Sequence, residues 1–328
     1  MIFNKFASSN FKISSVGFGT WALGSDKATG YGKINVREAI KTIHKSIEKK
    51  INFFDTSNLY GNGYSEEILG RIFYKKRENV FIASKGGCLP HKTLYMPQDF
   101  SKKALNLSLE GSLKRLKTDY LDLFQLHSPT IENFEKENCI NTLNKYKETG
   151  KCKFIGISAR TPNDALYFLE KYPIDSLQVN FNLIDQRALD LNLFKIAKRK
   201  KVSIIVRTPL VFGFLSGKVN YKKIVDKNDI RLLFPKEQLE IWQNAIKLFL
   251  KIKEKNITKT QFALKYCLSF SGVTTVIPGM INQKQLIENT NKIIFKKFKN
   301  EKIKIRKIYK KNNFYFEKLR SLKNKKEL

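Results

Sequence analysis

Acidic residues are scarce in this chain of 328 residues: 29 Asp and Glu stand against 62 Lys and Arg, a formal charge of +33. Cysteines number four, at Cys88, Cys139, Cys152 and Cys267. No CxxC pair occurs, and the spacing suits neither a metal cage nor a disulfide framework, so reduced thiols are expected. The three histidines, His44, His91 and His127, are too scattered to make a ligand set, and no metal site is expected. No run of about 18 or more apolar residues is present, which excludes a membrane-spanning helix. The opening stretch MIFNKFASSNFK lacks the continuous apolar core of a signal peptide, and a cytoplasmic protein is expected.

The surplus of positive charge invites a nucleic-acid or anionic-membrane reading. A polyanion site concentrates its charge, whereas here the lysines run throughout. Residues 291–328 hold fifteen Lys and Arg against three Glu, +12 of the +33. Compositional bias plus a solvated tail is the preferred reading. Salt-dependent polyanion binding by the tail is kept as an alternative.

With 42% hydrophobic residues the chain is long enough to bury a large core without disulfides or metals. Eight short apolar runs recur: 15–19 (SVGFG), 53–55 (FFD), 80–84 (VFIAS), 120–126 (YLDLFQL), 154–158 (FIGIS), 176–180 (SLQVN), 203–207 (SIIVR) and 274–277 (TTVI). Most are nearly continuous in apolar residues, as strands buried on both faces of a parallel sheet are. Helical patterns alternate with them, at 36–49, 65–73 with Ser65 as its N-cap, 101–116, 140–147, 163–171, 191–198, 236–255, 259–268 and 283–291. Strict alternation points to an α/β fold, and eight repeats to a (β/α)8 TIM barrel. The competing doubly wound dinucleotide fold requires GxGxxG after its first strand. The sequence offers only Gly17-Phe-Gly19 and Gly61-Asn-Gly63, both without the third glycine. A single domain over 1–328 is expected, with a hairpin in about 1–14 beneath the barrel and a basic helix or arm in about 291–328.

Chemistry on such a barrel sits at the C-terminal ends of the strands. The second predicted strand ends in FFDTSNLYGNGYSE, with Asp55 at its tip and Tyr60 five residues on. The third ends at Lys85 and the fourth at His127. Taken singly, each has a bland reading: a capping Asp, a packing Tyr, a solvated Lys, a structural His. Together they place four side chains able to support proton transfer to a carbonyl at one mouth.

The stretches FFDTSNLYGNGYSEEILG, ASKGG, YLDLFQLHSP, FIGIS, LQVNFN and VIPG, in this order between about residues 11 and 290, resemble the aldo/keto reductase superfamily. VRTPLVFGFLSGK resembles its bacterial branch. The resemblance implies an NAD(P)H-dependent oxidoreductase on a (β/α)8 barrel, reducing an aldehyde or ketone to an alcohol or running the reverse. It implies a tetrad of Asp55, Tyr60, Lys85 and His127. Tyr60 donates the proton, Lys85 lowers its pKa, Asp55 holds Lys85, and His127 orients the carbonyl.

The same resemblance implies Ser158 and Gln178 at the nicotinamide amide, although Ala159 stands where the family usually has Asn. Arg207 takes the place of a stacking aromatic, and its guanidinium can stack in turn; an ordinary surface ion pair is the other reading. Pro209, Leu210, Gly213, Leu215, Gly217 and Lys218 fall along the pyrophosphate. Gly279 precedes a helix whose N-terminus can receive phosphate. Gln285, Glu288 and Asn289 fall at the adenosine. Ile281 replaces an Arg that grips the 2′-phosphate in many NADP-dependent members, with Lys284 nearby. The family implies NADP(H), with NAD(H) as the alternative.

Trp21 reads either as a plug of the barrel core or, with Tyr60 and His127, as a wall of the substrate pocket. The loops 88–99, 128–138 and 219–235 complete that pocket. The expected partner is a small carbonyl or alcohol, and the family implies a monomer. A second function is kept open: a cofactor-sensing regulatory subunit on the same fold.

Overall fold

The computed structural model describes residues 1–25, 27, 30–89, 97–296, 298 and 300–316. Residues 90–96 of the expected pocket loop, His91 among them, and 317–328 of the expected terminal arm lie outside the described residues.

Two strands, β1 (Phe3–Lys5) and β2 (Lys12–Ser14), form an antiparallel hairpin. Eight more follow: β3 (Phe18–Gly19), β4 (Phe53–Asp55), β5 (Phe81–Gly86), β6 (Leu121–His127), β7 (Cys152–Ser158), β8 (Ser176–Asn180), β9 (Ser203–Arg207) and β10 (Val273–Val276). They pair in chain order, all in parallel. The sheet closes on itself where Val16 bridges Val276 and Gly19 bridges Gly279. This is the (β/α)8 barrel. Among the described residues no helix is long and apolar enough to cross a membrane.

Side chains alternate between the two faces of a strand, and the alternation divides the interior into two zones. The lower zone is apolar: Phe53, Phe81, Ala83, Leu123, Phe154, Ile205 and Ile277 cluster with Phe6 and Ile13 of the hairpin. Phe6 enters from below, its ring 4.7 Å from Phe81 and 5.0 Å from Phe154. Ala7 N–H donates to Ser203 Oγ at 2.7 Å and fastens the hairpin to the foot of β9. The same inward phase, carried upward, brings Asp55, Lys85, Gln125, His127, Ser158, Gln178 and Arg207 to the upper zone.

Most helices stand where their periodicity places them, and the departures have physical causes. Ser65 is not an N-cap: the helix Tyr64–Phe73 starts from Gly63, whose φ of 92° only glycine adopts readily. The pattern at 236–255 gives a helix only over Lys236–Ala245, then tightens to a 3-10 turn at Ile246–Phe249. Residues three apart eclipse in a 3-10 turn, which sets Ile246 and Phe249 on one buried line; Phe249 stacks on Phe314 at 6.1 Å. The pattern at 191–198 gives the helix Leu193–Arg199, which starts from Asn192 at φ 51°, and a separate short helix, Arg187–Asp190, precedes it. The loop 128–138 carries a helix of its own, Ile131–Lys136, capped by Thr130.

The described part of the basic C-terminus is not simply solvated. Its helix, Glu301–Lys311, pairs Arg306 and Lys310 with Asp190. Beyond it Phe314 is 3% exposed. Buried Gln238 clasps the backbone on both sides of Tyr315, donating to Phe314 O at 3.0 Å and accepting from Phe316 N at 2.8 Å. Phe314→Ala is therefore expected to cost about 3–5 kcal/mol, read as a lowered urea midpoint. A midpoint equal to wild type would show that this segment contributes nothing to the fold.

Candidate active site

The mouth of the barrel holds one buried ion pair. Lys85 Nζ lies 2.6 Å from Asp55 Oδ1, with side chains 0% and 2% exposed. An ammonium has three N–H groups, and here each has an acceptor: Asp55 Oδ1, Thr56 O at 2.8 Å and Tyr60 Oη at 3.1 Å. The other carboxylate oxygen of Asp55 accepts from Gln178 Nε2 at 2.7 Å, with Gln125 Nε2 at 3.5 Å. Asp55, Lys85 and Tyr60 thus form one hydrogen-bonded unit. His127 lies across from Tyr60, ring centres 6.2 Å apart and nearly perpendicular, and its Nδ1 is 3.3 Å from Ser57 Oγ. The structure brings the four tetrad candidates together.

Burial raises the Tyr60 phenol above its ordinary value, and Lys85 pulls against that rise without cancelling it. Lys85 thus lowers the phenol as expected of it, but the net shift is upward. The ring sits in the closed interior of the barrel, and desolvation of the phenolate outweighs one neighbouring cation. For Lys85 the balance is reversed. Burial works against the ammonium, but Asp55 and Tyr60 together hold its pKa above the ordinary lysine value.

Two glycines place the loop that carries Tyr60. A Cβ on Gly24 would meet the backbone N of Gly61 at 2.3 Å, and Gly61 itself has φ 61°. This close approach sets Trp21 beside Tyr60, with ring centres 6.5 Å apart. Trp21 also meets Tyr31 at 4.9 Å and Phe212 at 6.1 Å. It is a wall of the mouth and not a plug of the core. The loop 219–235 reaches the same wall: Arg231, paired with Asp229, lies over Tyr31 at 5.3 Å from the ring centre.

Gln178 lies next to Ser158, with Ser158 Oγ 3.5 Å from Gln178 Oε1. Its Nε2, however, is already committed to Asp55. Arg207 is no surface ion pair: it donates to Ala159 O at 2.8 Å, and its buried Nε–H has no acceptor among the described residues. After β9 the backbone turns left-handed at Thr208, Val211, Phe212, Gly213 and Gly217. Thr208 is held there by Asn180 and by Asn182 Nδ2, which donates to Thr208 O at 3.1 Å. In this loop the amides of Val211, Phe214, Leu215, Ser216 and Gly217 serve its own turns. Those of Leu210, Phe212 and Gly213 have no acceptor among the described residues. Pro209 and Leu215 are buried.

Lys218 Nζ reaches from this loop to Glu288 Oε2 at 2.7 Å. Gly279, at the end of β10, is exposed, and a Cβ there would meet nothing within 4 Å. The following helix, Gln283–Asn289, is capped by Asn282, which accepts the Gln285 amide. Gln285 Oε1 accepts from Ile281 N at 2.8 Å, Asn289 is buried, and Ile281 packs against the core. The orphaned Arg207 Nε–H, the unengaged amides of the β9 loop and the open face of Gly279 fit an extended ligand with an anionic middle and a flat polar head, as a nicotinamide dinucleotide has.

Gln125, Thr56, Ser57, Tyr31 and Phe212 are absent from the sequence-level candidates. Gln125 was legible, since it shares the inward phase of His127 two residues later. Tyr31 and Phe212 come from loops, where no period marks the inward face.

Residues 15–310 match the aldo/keto reductase family model. An uncharacterized oxidoreductase of Bacillus subtilis, YqkF, is 30% identical over 95% of this chain and 97% of its own length. The holo form of the Bacillus halodurans aldo-keto reductase AKR11C1 superposes with a TM-score of 0.76 at 26% identity, covering 94% of this chain and 96% of that one. The Gluconobacter oxydans glycerol dehydrogenase AKR11B4 does so with 0.77 at 25% identity, covering 96% and 97%.

Asp55→Asn leaves Lys85 buried beside a neutral amide. A loss of about 3–5 kcal/mol in unfolding free energy is expected, with most of it recovered in Asp55→Leu/Lys85→Met; equal stability of all three in urea would refute the buried pair. The Lys85 and Tyr60 values are both raised on folding. Their contribution to stability is therefore complete below the ordinary lysine and phenol values near 10 and is lost as pH rises through the folded values. Unfolding followed against pH is expected to show no loss from these two groups at neutral or mildly alkaline pH.

Proposed function

Because the chain belongs to the aldo/keto reductase family, we propose that it reduces an aldehyde or ketone with a nicotinamide dinucleotide, or runs the reverse reaction, with Tyr60 as the proton donor. The observation that carries this is the Tyr60 hydroxyl held 3.1 Å from a lysine already locked into a buried pair.

The nicotinamide supplies the hydride when bound. As the carbonyl carbon is reduced, negative charge develops on its oxygen, and Tyr60 gives that oxygen its proton. The phenolate left behind faces the Lys85 ammonium, which is where the stabilisation is needed. Asp55 keeps Lys85 charged and aimed. Since burial favours the neutral phenol, Tyr60 stands protonated at neutral pH, as a reductase requires. Donation from Ser57 to Nδ1 of His127 would put the histidine proton on Nε2, the arrangement in which His127 hydrogen-bonds the carbonyl oxygen and orients it. Trp21 shields the reacting atoms from one side.

Ser158 and Gln178 would hold the nicotinamide amide and Arg207 would lie against the ring. The unengaged amides of Leu210 and Gly213, in the loop with Pro209, Leu215, Gly217 and Lys218, would receive the pyrophosphate. Gly279, Gln285, Glu288 and Asn289 would border the adenosine. We take NADP(H) as the cofactor with NAD(H) as the alternative. Ile281 offers no charge to a 2′-phosphate, and Lys284 is the nearby cation in sequence.

Titration with NADPH and with NADH, followed by fluorescence of Trp21 and Trp242 and checked by calorimetry, is expected to show saturable binding. The ratio of the two affinities decides the cofactor; binding of neither would end this reading. Tyr60→Phe is expected to bind cofactor as wild type does while turnover falls about 10²–10⁴-fold. Tight cofactor binding by wild type without reduction across a broad carbonyl panel would favour a cofactor-sensing subunit.

A further inference from the structure

Beside the tetrad three hydroxyls stand in a row that the reaction as described does not use. Thr20, Thr56 and Ser65 are each 0% exposed. Ser65 Oγ lies 2.7 Å from Thr20 Oγ1, 3.2 Å from Thr20 O and 3.0 Å from Thr56 Oγ1, while Thr20 Oγ1 lies 2.8 Å from the backbone O of Asp55. A hydroxyl has one proton to donate, and a carbonyl has none. The order of donation therefore runs from Thr56 to Ser65, from Ser65 to Thr20, and from Thr20 to Asp55 O, with every proton used.

Each member of the row is also tied to the backbone of a tetrad residue or to its partner. Thr20 N–H donates to Asp55 O at 3.0 Å. Thr56 O accepts from Lys85 Nζ at 2.8 Å. Ser65 N–H donates to Tyr60 O at 3.2 Å. Gly63 caps the helix, so the Ser65 hydroxyl is not spent on its own helix end. The row joins three separate pieces of chain: the turn after β3, the end of β4 and the helix after the Tyr60 loop.

We infer that Ser65, through Thr20 and Thr56, is a positioning residue, and that this directional hydroxyl chain sets the separation of Tyr60 from Lys85. The inference rests on the reductase reading. With the chain cut at Ser65, the Thr56 hydroxyl loses its acceptor and the Tyr60 loop is held to β4 by fewer bonds. The charged and titratable groups acting on Tyr60 are Lys85, Asp55, Arg207 and Tyr31, and the His127 ring faces it. Of these Lys85 is the strongest downward influence on the phenol. A looser Lys85 contact therefore moves the ionisation of Tyr60 upward.

The test compares wild type with Ser65→Ala, Thr20→Val, the double variant and Ser65→Thr. The carbonyl is the member of a panel led by p-nitrobenzaldehyde that wild type reduces fastest, and its alcohol serves for the reverse direction. Ser65→Ala and Thr20→Val are each expected to lower kcat about 10–100-fold, the size of effect that a misplacement of about an ångström produces, with cofactor Kd unchanged. The rise of alcohol oxidation with pH, which follows formation of the phenolate, is expected to move to higher pH. The double variant is expected to be no worse than the weaker single, because the chain breaks only once, and Ser65→Thr to recover most of the rate. Folded Ser65→Ala and Thr20→Val with wild-type kcat and pH profile would overturn the inference, as would additive losses. Should Ser65→Ala not fold, the isosteric Thr20→Val decides alone. A wild-type chain that binds cofactor but reduces no panel member strikes down the reductase reading itself, a result distinct from any pattern among the variants.

Discussion

A lysine closed inside a barrel has to be met on every side. Water cannot solvate its ammonium there, so the charge survives only where an opposite charge and a full set of acceptors stand ready. Lys85 has Asp55, Thr56 O and Tyr60 Oη, one for each N–H, and much of the upper barrel can be understood as the means of holding those three in place. Asp55 must itself be satisfied, which engages Gln178 and Gln125 from two further strands. Tyr60 must be brought back over the strand ends, which requires a loop that packs backbone on backbone at Gly24 and Gly61.

The barrel solves this by zoning its interior. Below, Phe53, Phe81 and Phe154 close around Phe6. Above, the same strands present Asp, Lys, Gln and His on the same phase. The lower zone is what makes the upper one function, since a solvent-filled barrel would screen the field that Lys85 exerts on Tyr60. The support also extends outward. Buried Glu66, joined to Ser84 and Arg115, ties the helix behind the Tyr60 loop to the strand that carries Lys85.

The mouth is assembled from loops whose residues have no common period. Trp21, Tyr31 and Phe212 come from three segments and meet only because the barrel returns the chain to the same rim. Phe212 stands in a run of left-handed residues, two of them, Thr208 and Val211, β-branched, and such conformations persist only where the surroundings impose them. Asn180 and Asn182, at the end of β8 and just beyond it, do so for Thr208. The aromatic wall continues from Phe212 to Trp242 and on to Tyr315, so the C-terminal segment is packed into the same assembly.

Strand number, parallel order and the place of Asp55, Lys85 and His127 at strand ends were legible in the sequence, because a strand buried on both faces shows as a short apolar run with a polar residue where it ends. The hairpin beneath the barrel and most helix positions were legible for the same local reason. The sense of the Tyr60 shift was not, since it is the difference between burial and one cation, and burial is a property of the whole barrel. Nor was the role of Ser65, which has the composition of a helix cap but spends its hydroxyl on Thr20, a residue 45 positions away. Local sequence determined which residues stand at the strand ends. Only the closed tertiary structure decided which atoms touch, because hydrogen bonds between distant strands, the exclusion of water and the left-handed turns of the rim depend on contacts that no short stretch of chain contains.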